Sequence, residues 1–305
     1  MSALKALTKF ADANFLALYE KIILTYTKPH DTILIPYMHL GHFAFEAAIN
    51  ERLCFVYDTN PLIRVNFEAE FFYPSVMGLK NRLTEIKTKR DAFTSDKKHY
   101  FHPQTFDEVM SIRAFLESAP KDAVNLWIKR LVSEALRAPE DSNAIVEPEY
   151  IDVKQYALRT YGAIFSNIDP MKLLILYHFI PLFFNDEKEA EAELKGQKVR
   201  MAYYAPYSFD VYDYVDKNFL KMWFCEISKE QLLWYADEVN NENHMKKDFL
   251  SLHRKLESGG VIFVERAIGQ DLEAFFKLAF FYGYENIQAF GTEAREFFIF
   301  RKISV

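Results

Sequence analysis

Asp31-Thr32-Ile33-Leu34-Ile35-Pro36-Tyr37-Met38-His39-Leu40-Gly41-His42 is the stretch on which the fold turns. Residues 32–35 form a short apolar run with turn residues on both sides, the mark of a strand buried on both faces of a parallel sheet. Residues 36–40 read as a loop and 41–50 as a helix, with Phe45, Ala48 and Ile49 on one side. Residues 53–57 are a second buried strand, and Asp58-Thr59-Asn60-Pro61 follows at once. Strand, loop, helix and strand within about 30 residues is the size of a βαβ unit.

Outward from this unit the pattern repeats at the far end of the chain. Residues 3–26 carry Leu4, Leu7, Phe10, Phe15, Leu18, Tyr19, Ile22 and Ile23 at helical spacing. Residues 199–204 read as a strand ending at Ala205-Pro206-Tyr207, and 240–256 as an amphipathic helix with Met245, Phe249, Leu252 and Leu256 in register. Gly259-Gly260 breaks that helix, 261–264 is a strand, 272–281 is a helix stopped at Gly283, and 297–300 is a closing strand. Between the two ends, 105–138 reads as two helices broken at Ala119-Pro120, the first capped by Thr105 or Asp107 and the second by Asp122. Residues 171–184 are apolar, and the charged run 185–195 reads as a solvated helix face. The expected fold is α/β: one mostly parallel, Rossmann-like sheet built from 1–76 and 196–305, with a mainly helical insertion at 77–195.

Composition narrows the class. Of 305 residues, 50% are hydrophobic and 16% aromatic, enough for a sizeable core, yet there are only 9 Gly. The net charge of −6 gives no global pull toward nucleic acid, so any such surface has to be local. Residues 80–98 supply one, with Lys87, Lys89 and Arg90 at its centre. The longest apolar stretch, 173–184, is broken by His178 and Pro181 and falls short of the roughly 20 residues a bilayer span needs. Cys54 and Cys225 sit in apolar segments and read as buried free thiols, so a soluble cytoplasmic protein is expected.

Two loops stand where open α/β sheets bind ligands, at the carboxyl ends of the strands. In the first, Gly41 lets the backbone approach a ligand or simply turns the strand into the helix. In the second, Asp58 is placed to bind ribose hydroxyls or to cap the next helix. His39 and His42 are three apart, but a third metal ligand is missing nearby, so no metal is expected.

Residues 31–61 resemble the opening of the DNA amino-methyltransferases, which methylate exocyclic nitrogens of adenine or cytosine. Asp31-Thr32-Ile33-Leu34, then Ile35-Pro36-Tyr37, then Glu46-Ala47-Ala48 on the helix follow that family's order, and Asp58-Thr59-Asn60-Pro61 is the most specific match. His99-Tyr100-Phe101-His102-Pro103 is similar to the segment that follows, and the stretch from Leu256 to Val264 to a late helix, Gly-Gly turn and strand. Tyr203-Tyr204-Ala205-Pro206-Tyr207, with Tyr212-Asp213-Tyr214 behind it, resembles the family's acid-or-amide-Pro-Pro-Tyr catalytic loop.

The resemblance implies S-adenosylmethionine as cofactor, held by Pro36, Tyr37, His39, Gly41 and Asp58, and Tyr204, Ala205, Pro206 and Tyr207 as the catalytic loop. It implies DNA as partner, with the insertion recognising it, and Tyr207 stacking on a flipped base. The departures are concentrated at the chemistry. His39 stands where a Gly admits the cofactor, Tyr204 where a smaller acceptor holds the target amine, and Ala205 where the first Pro belongs. Methyl transfer is therefore expected to be attenuated or lost. The rival reading is a non-catalytic methyltransferase-like scaffold that binds DNA or a protein partner, such as a second copy of the chain.

Overall fold

The computed structural model describes residues 13–37, 41–58, 60–136, 148–184, 186–205, 211–231, 242–267, 272–291 and 295–303. They divide into two compact units. One comprises the described residues of 10–63, 169–209 and 233–305, and the other those of 64–168 and 210–232.

The first unit holds a seven-stranded sheet: β1 Thr32–Ile35, β2 Leu53–Tyr57, β3 Leu182–Phe184, β4 Val199–Tyr204, β5 Leu256–Ala267, β6 Tyr284–Gly291 and β7 Arg295–Lys302. Their order is β3-β2-β1-β4-β5-β7-β6. β1 pairs in parallel with β2 and β4, β2 with β3, and β4 with β5. Only β7 is reversed, pairing antiparallel with both β5 and β6. The four residues of β1 are all buried, as a central parallel strand with helices on both faces requires.

Helix α1 (Ala13–Tyr26) and α2 (His42–Ile49) cover one face. There Tyr203 of β4 stacks on Phe43 of α2, ring centres 4.2 Å apart, and meets Tyr19 of α1 edge-on. Because side chains alternate along a strand, the next residue, Tyr204, points to the other face and meets Phe249. At Gly260 a Cβ would lie 3.0 Å from the carbonyl of Glu257 and 3.1 Å from that of Arg200. The β4–β5 ladder shifts register beside it, between Val199 and Met201, so the backbone closes to a distance only Gly permits.

The boundaries drawn on composition shift here. Residues 182–184, counted with the insertion, form β3 and extend the sheet beyond β2. The helices that flank it, Pro170–His178 and Glu187–Leu194, also belong to the sheet unit. β6 was not anticipated, and β5 begins at Leu256, so Gly259-Gly260 lies inside a strand.

In order along the chain, the remaining helices are α3 Pro61–Glu68, α4 Val76–Glu85, α5 Pro103–Ser118, α6 Ala123–Ala135, α7 Val153–Ser166, α8 Pro170–His178, α9 Glu187–Leu194, α10 Val211–Cys225, α11 Glu242–Lys255 and α12 Leu272–Phe281. The second unit packs α4 to α7 and α10 around Trp127, Phe106 and Tyr161, all fully buried. Trp127 Nε1 donates to the Phe72 carbonyl at 2.6 Å and Tyr161 Oη to that of Pro74 at 2.5 Å, so neither polar tip is left unmet.

Asp122 caps α6 as read, accepting from the Asn125 amide at 2.8 Å. The cap of α5 is His102, not Thr105 or Asp107, because Pro103 takes the first helical position. Thr105 Oγ1 is engaged instead with the backbone of Ile151, donating at 3.0 Å and accepting at 2.8 Å. No helix among the described residues is long and apolar enough to cross a membrane.

Candidate functional site

The strand order reverses between β1 and β4, and their carboxyl ends form the crevice where such sheets bind ligands. The parallel register, Ile33 opposite Met201 and Leu34 opposite Ala202, brings Pro36 and Tyr37 beside Tyr204. Helix α11 supplies the third component. Tyr37 Oη donates to Asp248 Oδ2 at 2.6 Å, and Tyr204 Oη donates to the same oxygen at 3.0 Å. The two rings meet edge-on with centres 5.5 Å apart. Tyr37 is 5% exposed and Tyr204 1%.

Burial, then the charge of Asp248 and the hydrogen bond to it, push the Tyr204 phenol well above its ordinary range. Tyr57, at the tip of β2, is raised well above it too, by burial and then by Glu187, Asp248 and Glu191. These phenols remain protonated near neutrality. Tyr204 acts as a donor locked on Asp248, not as a base.

Sequence reasoning missed Asp248. Its signal was there: on the helix whose apolar stripe runs Met245, Phe249, Leu252, position 248 falls beside the stripe, where a carboxylate needs a partner.

At the tip of β2, Asp58 is 8% exposed and accepts from the Asn60 amide at 2.8 Å through Oδ1. Asn60 Oδ1 accepts from the amides of Leu62 at 3.1 Å and Ile63 at 3.4 Å, with Pro61 leading the helix. Asn60 is therefore the cap of α3, and Asp58 holds the turn that positions it. Asn60 Nδ2 is buried with no hydrogen-bond partner among the described residues. Gly41, at φ +71°, precedes α2 in the left-handed conformation, which explains a Gly there without any ligand. His39, Pro206 and Tyr207 lie outside the described residues, while Pro36 and Ala205 are buried beside the tyrosines.

In the helical unit, the basic segment sorts into two groups. Arg82 is committed to Asn125 at 2.8 Å and Asp122 at 3.2 Å, and Lys97 to Asp96 at 2.7 Å. Lys87, Lys89 and Arg90 are exposed together on the loop after α4. That loop is tied at its backbone. Lys154 Nζ donates to the Ile86 carbonyl, the Lys89 amide donates to Ser111 Oγ at 2.9 Å, and the Asp91 amide to Asp107 at 3.3 Å.

Among the described residues no group of three or more His, Cys, Asp or Glu side chains is arranged to hold a metal. For S-adenosylmethionine the fit is divided. The β2 tip keeps a carboxylate and a buried amide, Asn60 Nδ2, in need of an acceptor. The described residues at the ends of β1 and β4 do not fit the reacting groups, because Tyr37 and Tyr204 are buried and engaged with Asp248 and with one another.

The fold is that of the Rossmann-like S-adenosylmethionine-dependent methyltransferases: parallel β3-β2-β1-β4-β5 with a reversed β7 inserted before β6. No protein-family model matches the chain, and no curated protein sequence does. Among solved structures it is similar to two of the rRNA methyltransferase aviRa from Streptomyces viridochromogenes. Each shows 11% identity over 95% of this chain and 85% of that one, with a TM-score of 0.41. A likeness so remote says nothing of substrate, and the strand order itself defines the fold.

Proposed function

We propose that this chain is a DNA-methyltransferase-like protein in which methyl transfer has been lost, and that it serves as a non-catalytic scaffold contacting DNA through the loop at 87–90. The observation that supports the loss is the Tyr37–Asp248–Tyr204 network. Amine methylation needs an acceptor on the target nitrogen, room for a base flipped out of the duplex, and an in-line path to the methyl donor. Tyr204, 1% exposed and hydrogen-bonded to Asp248, offers neither the room nor the acceptor geometry. DNA as the partner rests on the resemblance of residues 31–61 and 203–207 and on the three exposed cations. The buried free thiols Cys54 and Cys225 suit a reducing cytoplasm.

Calorimetric titration with S-adenosylmethionine tests the loss. No detectable heat is expected up to about millimolar ligand, a level that corresponds to roughly 4 kcal/mol of binding. Tight binding that disappears in Asp58→Ala overturns the reading. Neutralising Lys87, Lys89 and Arg90 is expected to weaken duplex binding and to make its salt dependence shallower by about one phosphate contact per residue. Unchanged affinity removes the loop from the account.

A further inference from the structure

Residues 86–91 follow α4 on the helical unit, and side chains of two other helices take up their backbone groups. From α7, Lys154 Nζ donates to the Ile86 carbonyl and, at 3.2 Å, to Thr88 Oγ1. From α5, Ser111 Oγ accepts from the Lys89 amide at 2.9 Å and Asp107 Oδ2 from the Asp91 amide at 3.3 Å. Asp91, at φ +49°, closes the loop in the left-handed conformation that Asp tolerates. Both ends and the middle of the loop thus meet protein partners, where a solvated loop gives such groups to water.

The two supporting helices are themselves locked together. Glu108 of α5 accepts from the Val153 amide at the start of α7 and from Tyr150 Oη, both at 3.1 Å. Thr105 Oγ1 bonds the backbone of Ile151 in both directions. Asp107 and Ser111 are 6% and 5% exposed, so the anchors on α5 sit inside the unit and not on its surface.

The loop presents charge outward. Lys87, Lys89 and Arg90 are exposed, and Lys87 Nζ stands 3.5 Å from the Thr84 carbonyl, the limit of a hydrogen bond. Their charged neighbours are already engaged: Arg82 with Asp122 and Glu85, Lys97 with Asp96, and Asp107 and Glu108 with backbone amides. Asp91, beside them, is exposed. Lys154 differs from the three loop cations. It is half-buried, and burial lowers its ammonium from the ordinary range, with Glu108 and Asp152 opposing and Lys87 adding to the shift. Its donors are spent on the loop instead of being offered to a phosphate.

We propose that Lys154 and Ser111 are positioning residues for duplex binding: they hold residues 86–91 in the binding shape before DNA arrives, a role that presupposes the DNA contact proposed above. Ordering a loop at the moment of contact consumes interaction energy, and a pre-ordered loop keeps it. A positioning residue touches no phosphate, so its loss weakens binding without changing the number of counterions released.

Binding of a fluorescent mixed-sequence duplex across a salt series, with amide hydrogen exchange of the free protein, tests this. Ser111→Ala alters no charge and is expected to weaken binding about three- to tenfold at the wild-type salt slope, the scale of one hydrogen bond. Lys154→Met is expected to do the same, and both variants to speed exchange at the Lys89 amide with the melting temperature unchanged. Lys87→Ala is expected to weaken binding with a slope shallower by about one phosphate contact. Wild-type affinity in both positioning variants, beside a weakened Lys87→Ala, overturns the proposal and leaves the DNA contact standing. So does a Lys89 amide that exchanges freely in the wild-type protein, or a Ser111→Ala slope as shallow as that of Lys87→Ala. Duplex affinity insensitive to neutralising Lys87, Lys89 and Arg90 together overturns the DNA reading, and this role with it.

Discussion

Replacing Glu265 by Ala is expected to be among the most damaging single changes to this protein. Glu265 lies on β5, 3% exposed, and accepts from Tyr19 Oη at 2.6 Å and from Tyr203 Oη at 2.6 Å. Arg295 Nη1 bonds its other oxygen. Tyr19 and Tyr203 are themselves 3% and 1% exposed, so neither phenol has water to turn to when the carboxylate is gone. Each buried orphan costs about 1–3 kcal/mol. Breaking a buried pair with Arg295 belongs to the same event, so the total expected is about 3–5 kcal/mol, not the sum.

Urea unfolding followed by circular dichroism measures this as a fall in midpoint at constant slope. Glu265→Gln keeps an acceptor and is expected to cost about 1–2 kcal/mol. The sharper result is non-additivity. Tyr19→Phe is expected to cost less in the Glu265→Ala background than in the wild-type chain, because there the bond to the carboxylate is already gone and only the contact with Tyr203 remains to be lost. A Glu265→Ala loss below about 1 kcal/mol, or a Tyr19→Phe cost that is the same in both backgrounds, would show that the carboxylate does not hold the two phenols.

Two further outcomes follow from burial and from backbone approach. Glu46 on α2 is 4% exposed, and burial raises its carboxyl from 4.5 to about 7, with Lys172 opposing and Glu20 adding to the shift. Folding takes up a proton between those values, so the stability present below pH 4.5 is lost as the pH rises through about 7. Glu46→Gln is expected to remove roughly 3 kcal/mol of that decline, and identical pH profiles for the two proteins would sink the assignment. Gly260→Ala is expected to destabilise by about 1–3 kcal/mol, since the two nearest atoms are backbone carbonyls that cannot move aside and Leu256 Cδ2 crowds the third side, whereas Gly162→Ala, with nothing within 4 Å on α7, is expected to stabilise by about 0.5–1 kcal/mol. Melting curves of the two variants that shift in the same direction contradict this.

The sequence announced the parallel core because its strands are apolar runs closed by turn residues. β1, β2 and β4 begin and end where the pattern places them. β3 was hidden inside 171–184, where three strand residues cannot be told from the end of an apolar helix. β6 lacks alternation, because it is an edge strand with a register shift between Asn286 and Gln288. The tip of β2 was legible as a local motif, and the structure gives its capping role to Asn60. The network at the crevice was not legible, because Tyr37 and Asp248 are 211 residues apart and no local period links them. Long-range polar pairing of this kind is fixed by topology.

Single-turnover transfer of a labelled methyl group from S-adenosylmethionine to duplex DNA, with protein in excess, measures whether methyl transfer survives. No label is expected on the DNA above the protein-free background, because Tyr37 and Tyr204 are buried and hydrogen-bonded to Asp248 at the ends of β1 and β4. Label recovered on an exocyclic base nitrogen, and abolished by Tyr204→Phe, would contradict that expectation.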